Sequence, residues 1–493
     1  RRVAVVGPNA AVARTLGGGS ATVFPAYTVS PLEGLRAALG DHVEVLHGEG
    51  VRTHHRIPVA ERDRLLLPDG SGPGAEVRFL DAGGRVLGSD RRLGGAFAWL
   101  GTLPDDVPVA GVAAVEVRTA LRVTTSGPHV LGCSGVGRFR LAVGGEQVFD
   151  TRLSVPADGD LAEAHMRPPQ HGTPVHLREG ETVDLVLRHE PLGADGAAGP
   201  VAGITFQVNV EPPHPDDDEE IERAVGLAGS ADVAVVVVGT TEEVESEGID
   251  RASLELPGRQ DELVRRVAAA NPRTVVVVNS GAPVLLPWVG EVPVVLLAWF
   301  PGQECGNALA DVLLGDVEPG GRLPTTWPAS ADGLPSTRPV DGVLVYEEGL
   351  FVGYRGYDRD GREPLFPFGH GLGYTTWEYL GVEVSGPVSP SRAATVAVRL
   401  RNTGRRLGRE VVQAYASRPD SALLRPPRWL VGFGTGLAGP GEEVTVTVEV
   451  PWRALAHWDV GQRAFAVEPG DFDLAVGASS RDLRVTTRVH AGR

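Results

Sequence analysis

Two rhythms of apolar and polar positions divide this chain. In the first, residues 3–6, 233–238, 274–278 and 294–298 are almost unbroken apolar runs, with a shorter one at 43–46. Runs of this kind predict strands buried on both faces, as in a parallel sheet covered by helices. Between them, residues 31–39, 260–270 and 304–314 carry apolar positions at helical spacing, and Pro31 opens the first of these segments. The acidic run 216–220 precedes Ile221, Ala224, Val225 and Ala228, which predicts a helix with negative charge at its positive end. Strand, helix and strand in alternation predict a parallel α/β sheet.

The second rhythm is short alternating segments punctuated by Gly, Pro and Asp. It fills residues 58–210, with strands expected at 115–125, 129–132, 138–143 and 182–188. Gly144-Gly145 predicts the turn of a hairpin over 135–150. It returns after Trp377, with strands expected at 395–401, 409–416, 443–450, 465–467 and 472–476. Each region reads as a β-sandwich. The fold class is therefore multidomain α/β plus all-β. The expected layout is 1–57 for the first part of the α/β domain, 58–212 for an inserted sandwich, and 213–340 for the second part. Residues 341–376 form connector loops and 377–493 an immunoglobulin-like or fibronectin-like sandwich.

Composition narrows the functional classes. At 493 residues, 42% hydrophobic and 22% charged, the chain has the balance of a soluble globular protein. Its 46 basic residues are all arginine, which suggests a GC-rich bacterial genome. The net charge of −17 without a basic patch argues against nucleic acid as a partner. No apolar run approaches the roughly 20 residues that span a bilayer. Cys133 and Cys305 fall in different expected domains, so neither a disulfide framework nor a cysteine metal site is expected. The glycine-rich stretch 16–21 lacks the Gly-Lys-Ser/Thr of a phosphate loop, and no GxGxxG follows the strand. It reads as a connecting or substrate-facing loop. Asp105-Asp106 is too weak a signal for calcium, and no metal or cofactor is expected.

The chemistry concentrates at residues 240–258, which follow the apolar run 233–238. Glu242, Glu243, Glu245, Glu247 and Asp250 crowd together, and Arg251 closes the cluster. A charge run on a loop is ordinarily a solvated face. Here the order Ser246-Glu247-Gly248 sets a carboxylate beside a residue that lets the backbone bend or approach a ligand. A loop at the carboxyl end of a parallel strand is also where open α/β sheets present chemistry. Glu247 is the expected general acid/base, with Glu245 as competitor. Ser246, Asp250, Arg251, Trp299 and Tyr346 are candidate substrate contacts. Phe300, Phe351 and Tyr354 are further aromatics that could stack on a ligand, although such aromatics more often belong to a core. His370 reads as a structural turn residue.

Several ordered blocks carry a resemblance to glycoside hydrolase family 3 of the β-glucosidase kind. They include RRVAVVGPNA, GGGSATVFPAYTVSPLEGL, ESEGIDRASLELPGRQDELV and WFPGQECGNALADVLLGDVEPGGRLPTTWP, followed by YEEGLFVGYRGYD, FPFGHGLGYTT, NTGRRLGREVVQAYAS and RPPRWLVGF. The resemblance implies a retaining exo-acting β-glycosidase, most simply a β-glucosidase acting on terminal β-D-glucosyl residues. It implies a six-stranded α/β sandwich that donates the acid/base, placed on Glu247, and a fibronectin type III-like C-terminal domain. The insert resembles the protective-antigen type (PA-14).

In that family the nucleophilic aspartate sits on a TIM-type barrel, which this chain does not contain. The barrel is expected upstream in the same native chain, and this chain alone is expected to be inactive. The substrate would be an oligosaccharide or β-glycoside, no nucleic acid or membrane partner is expected, and a homo-oligomer is possible. The cytoplasm is preferred over secretion. The alternative is a non-catalytic carbohydrate-binding or scaffold protein.

Overall fold

The structure is a computed structural model. It describes all residues except 13, 21, 24, 55, 101–102, 105–106, 108–110, 156–166, 192–202 and 493. The Asp105-Asp106 pair lies outside the described residues.

The apolar runs form one parallel sheet of five strands. Their order is Val294–Leu297, Thr274–Asn279, Val233–Gly239, Arg2–Val6 and Glu44–Gly48. The resemblance implied six strands, and the described residues form five. Alternate residues face opposite helix layers. Val5, Val235, Val237 and Val277 pack against Leu32 and Leu35 of helix Pro31–Leu39 and Leu309 of helix Cys305–Leu314. Ala4, Val6, Val236 and Val276 pack on the other side, against helices Asp217–Gly229 and Gln260–Ala270. Burial on both faces is why these strands read as continuous apolar runs rather than alternating ones. Caps fix two helix starts. Ser30 and Glu33 form a reciprocal capping box, and Asp216 accepts from the Asp218 N–H.

Between Glu44–Gly48 and Asp217–Gly229 the chain builds a separate antiparallel sandwich. Among the described residues one sheet has seven strands and the other four, with a shared core that includes Phe79, Trp99, Phe139 and Phe206. The Gly144-Gly145 turn joins Gly137–Val143 to Glu146–Leu153, and both glycines have positive φ. The linker into this sandwich is tied down by side chains. Gln170 accepts from Ile57 N–H at 3.1 Å and donates to Ile57 C=O at 2.9 Å, and Asn209 donates to the same carbonyl at 3.0 Å.

The C-terminal sandwich packs a three-stranded sheet, Trp377–Ser385, Ala394–Asn402 and Glu443–Val450, on a four-stranded one. The four-stranded sheet includes Trp429–Ala438, a strand with no clear sequence signal. Gly432, Gly434 and Gly436 bring its backbone close against the facing strand, where a Cβ on Gly434 would sit 2.6 Å from Thr447 O. Asp358, on helix Tyr354–Arg359, bridges Arg428 at 2.9 Å and Arg481 at 2.8 Å. Glu318 accepts from the N–H groups of Tyr374 and Arg409, each at 2.7 Å. These bonds fasten the sandwich to the connector and to the α/β domain.

Candidate active site

The sheet order creates a crevice. From Arg2–Val6 the chain adds Glu44–Gly48 on one side and Val233–Gly239 on the other. The loops leaving the carboxyl ends of Arg2–Val6 and Val233–Gly239 therefore part company at a topological switch point, where open α/β sheets bind ligands. The first of these loops carries Gly17, Gly18, Gly19 and Ser20. The second is the acidic loop.

The two loops are stitched together by their backbones. Gly18 N–H donates to Glu245 C=O at 3.0 Å, and Glu247 N–H donates to Gly18 C=O at 3.2 Å. Gly18 and Ser246 thus form a parallel bridge. Glycine is required at position 19, because φ is +95° there and a Cβ would run into Glu247 Cβ.

Glu245 is locked beneath this bridge. Its Oε1 accepts from Arg251 at 3.0 Å, and its Oε2 accepts from Thr240 Oγ1 at 2.7 Å and Gly281 N–H at 2.6 Å. The Glu245 and Arg251 side chains are only 9% and 14% exposed. Burial pushes the Arg251 guanidinium down and the Glu245 charge opposes that. Arg251 also donates to Pro283 C=O at 3.2 Å. Gly281 must lack a side chain, since a Cβ would lie 2.6 Å from the Phe300 ring and 3.1 Å from Glu245 Oε2.

Glu247 is in a different setting. It is exposed, and its Oε2 accepts from Ser20 N–H at 2.7 Å and from the Ser20 hydroxyl. Those two hydrogen bonds, the hydroxyl's first, hold its carboxyl below the usual glutamate range. Ser20 is the group in contact with this carboxyl, and Glu242 and Glu243 are engaged elsewhere. Glu242 pairs with Arg14 at 2.7 Å, and Glu243 accepts from Arg56 N–H at 3.2 Å.

Glu245, Ser246, Glu247 and Arg251 line one open depression of about 360 Å³, with Phe300 and Gly18 on its wall. Of the other sequence candidates, Asp250 is exposed and not part of the wall. Trp299 is not on the wall either: it packs edge-to-face on buried Trp327 at 5.8 Å between ring centroids. Its backbone φ is +54°, and its carbonyl accepts from Asn279 Nδ2 at 2.5 Å. Tyr346 is 75% exposed on the connector. His370 stacks on Phe366 at 5.2 Å, in keeping with a structural role. Sequence reasoning missed Ser20, Thr240 and Gly281. Only the glycine-rich run before Ser20 offered a signal.

Residues 1–374 match the glycosyl hydrolase family 3 C-terminal domain, and residues 410–480 match a fibronectin type III-like domain. A β-glucosidase of Rhizobium radiobacter is 37% identical over 497 residues, covering 99% of this chain and 59% of its own length. Beta-glucosidase B of Emericella nidulans is 34% identical over 503 residues, covering 97% of this chain and 57% of its own length. Among solved structures, the β-glucosidase of Kluyveromyces marxianus in complex with glucose superposes with a TM-score of 0.87 at 29% identity. That match covers 100% of this chain and 59% of the other. The chain thus spans about three fifths of the length of the curated relatives it matches. These relatives are bacterial and fungal, so they do not decide the source suggested by the arginine-only composition.

Proposed function

The chain belongs to glycosyl hydrolase family 3, and from that premise we propose that it is the acid/base-bearing part of a retaining, exo-acting β-glucosidase. Glu247 is the general acid/base. The nucleophilic aspartate lies on an N-terminal barrel of the same native chain, so this chain alone is inactive. The substrate is a β-glucoside or oligosaccharide with a terminal β-D-glucosyl residue, as the names of the relatives suggest. We read the inserted sandwich as the protective-antigen type. The reaction needs no cofactor, because two carboxyl groups supply its acid, base and nucleophile.

The observation that carries this reading is the contrast between two carboxylates on one loop. Glu245 is buried and ion-paired, while Glu247 stands exposed on the wall of the switch-point depression. A proton-transfer group must reach its substrate, and the exposure of Glu247 favours it over the ion-paired Glu245.

Retaining hydrolysis places the two carboxyl groups about 5–5.5 Å apart. In the first step the aspartate attacks the anomeric carbon as the glycosidic bond breaks, and the Glu247 proton passes to the leaving oxygen. In the second step the Glu247 carboxylate takes a proton from water as the water oxygen displaces the aspartate. Packing of a barrel over the open depression would strip water from Glu247 and raise its proton affinity, which prepares it as the acid.

The test is Glu247→Ala in the full-length protein, assayed on an activated aryl glucoside and on an alkyl glucoside. Loss of glycosylation rate far larger on the alkyl glucoside supports the acid role. Equal loss on both contradicts it.

A further inference from the structure

Ser20 sits on the loop that follows the first strand, 227 residues from the glutamate it touches. We propose that Ser20 is a positioning residue for the acid/base: it grips one oxygen of Glu247 and leaves the other for the glycosidic oxygen. This rests on the reading of Glu247 as the acid/base.

The geometry is one-sided. Both Ser20 donors reach Oε2, and among the described residues no hydrogen bond reaches Oε1. The loop that presents Ser20 is itself fixed. The Gly18–Ser246 bridge holds it before the serine. After it, Thr22 donates to Gly19 C=O from its N–H at 3.1 Å and from its hydroxyl at 2.7 Å. Ser20 is thus delivered by backbone contacts rather than by a flexible side chain. No other charge in the cluster substitutes for it. Glu242 is paired with Arg14, Glu245 with Arg251, and Glu243 with the Arg56 N–H, while Asp250 is exposed.

Two donors on Oε2 stabilise the carboxylate over the carboxylic acid, and the Glu247 carboxyl is correspondingly lowered. In the glycosylation step the proton leaves Oε1 for the glycosidic oxygen, the C–O bond breaks, and the negative charge left on Glu247 rests on the oxygen that Ser20 holds. In the second step Oε1 receives the proton of the attacking water. Ser20 therefore strengthens the acid and sets which oxygen exchanges protons in both directions.

The experiment uses the full-length protein and the pH dependence of kcat/KM on an alkyl glucoside. The alkaline limb reports deprotonation of the acid in the free enzyme. Ser20→Ala should move that limb upward by about half a pH unit or more and lower kcat/KM by about tenfold. Ser20→Thr, which keeps both donors, should leave the limb in place. A Ser20→Ala enzyme with reduced kcat/KM and an unmoved limb overturns the proposal, while the reading of Glu247 stands. Glu247→Ala is the control. If it keeps both the limb and the turnover of the alkyl glucoside, the reading falls and the role of Ser20 with it.

Discussion

Arg251 Nη1 lies 3.0 Å from Glu245 Oε1, and both side chains are shielded from solvent. The pair anchors the acidic loop from below, so that the exposed carboxylate two residues further on has a fixed mount. Removing one partner of a buried pair leaves the other charge uncompensated. Glu245→Ala should therefore cost about 3–5 kcal/mol of stability, read by urea denaturation. In the full-length protein it should slow alkyl glucosides more than activated aryl glucosides, because it displaces Glu247 from the leaving oxygen. Unchanged stability with loss confined to poor leaving groups would transfer the acid role to Glu245.

Gly19→Ala tests the close approach of the two loops. The substitution places a Cβ against Glu247 Cβ at a residue whose φ is +95°. It should destabilise by about 1–3 kcal/mol and lower kcat on alkyl glucosides more than on activated aryl glucosides, since it pushes the acid out of line. Wild-type kinetics with normal stability would show that the loops separate freely.

Much of this arrangement can be read from the sequence, and the part that cannot has a physical reason. Strand Val233–Gly239 and helix Gln260–Ala270 are legible because burial imposes a periodicity on consecutive residues. The loop that presents Glu247 is legible because a carboxylate next to glycine on a strand-ending loop is a local pattern. Ser20 is not, since its contact with Glu247 exists only once strands Arg2–Val6 and Val233–Gly239 pair in parallel. The setting of Trp299 is hidden for the same reason, since its edge-to-face contact is with Trp327 from a distant segment. Strand Trp429–Ala438 is masked by its glycines, which mark close sheet packing rather than a loop.

A pH effect on stability should originate in the inserted sandwich. His189 stacks on Phe139 at 4.5 Å between ring centroids, and its Nε2 bonds to Val136 C=O at 2.9 Å. Burial pushes this imidazole down to about 4 from an ordinary 6.5. The depressed value means that the unfolded chain protonates first as pH falls. The stability His189 confers is thus complete above pH 6.5 and is lost as pH drops toward 4. The slope should not exceed about 1.4 kcal/mol per pH unit. Urea transitions at several pH values between those limits should show a flatter dependence for His189→Gln than for the wild type. Parallel curves would mean that other groups account for the acid sensitivity.

The central claim is that Glu247 transfers the proton in both steps, and one measurement addresses it most directly. Full-length Glu247→Ala is assayed on an activated aryl glucoside with and without azide. Azide needs no base to attack the glycosyl-enzyme, whereas water does. Turnover restored by azide, with β-glucosyl azide as product, is the expected result. Turnover that azide leaves unchanged, with glucose released at the wild-type rate, would contradict the account.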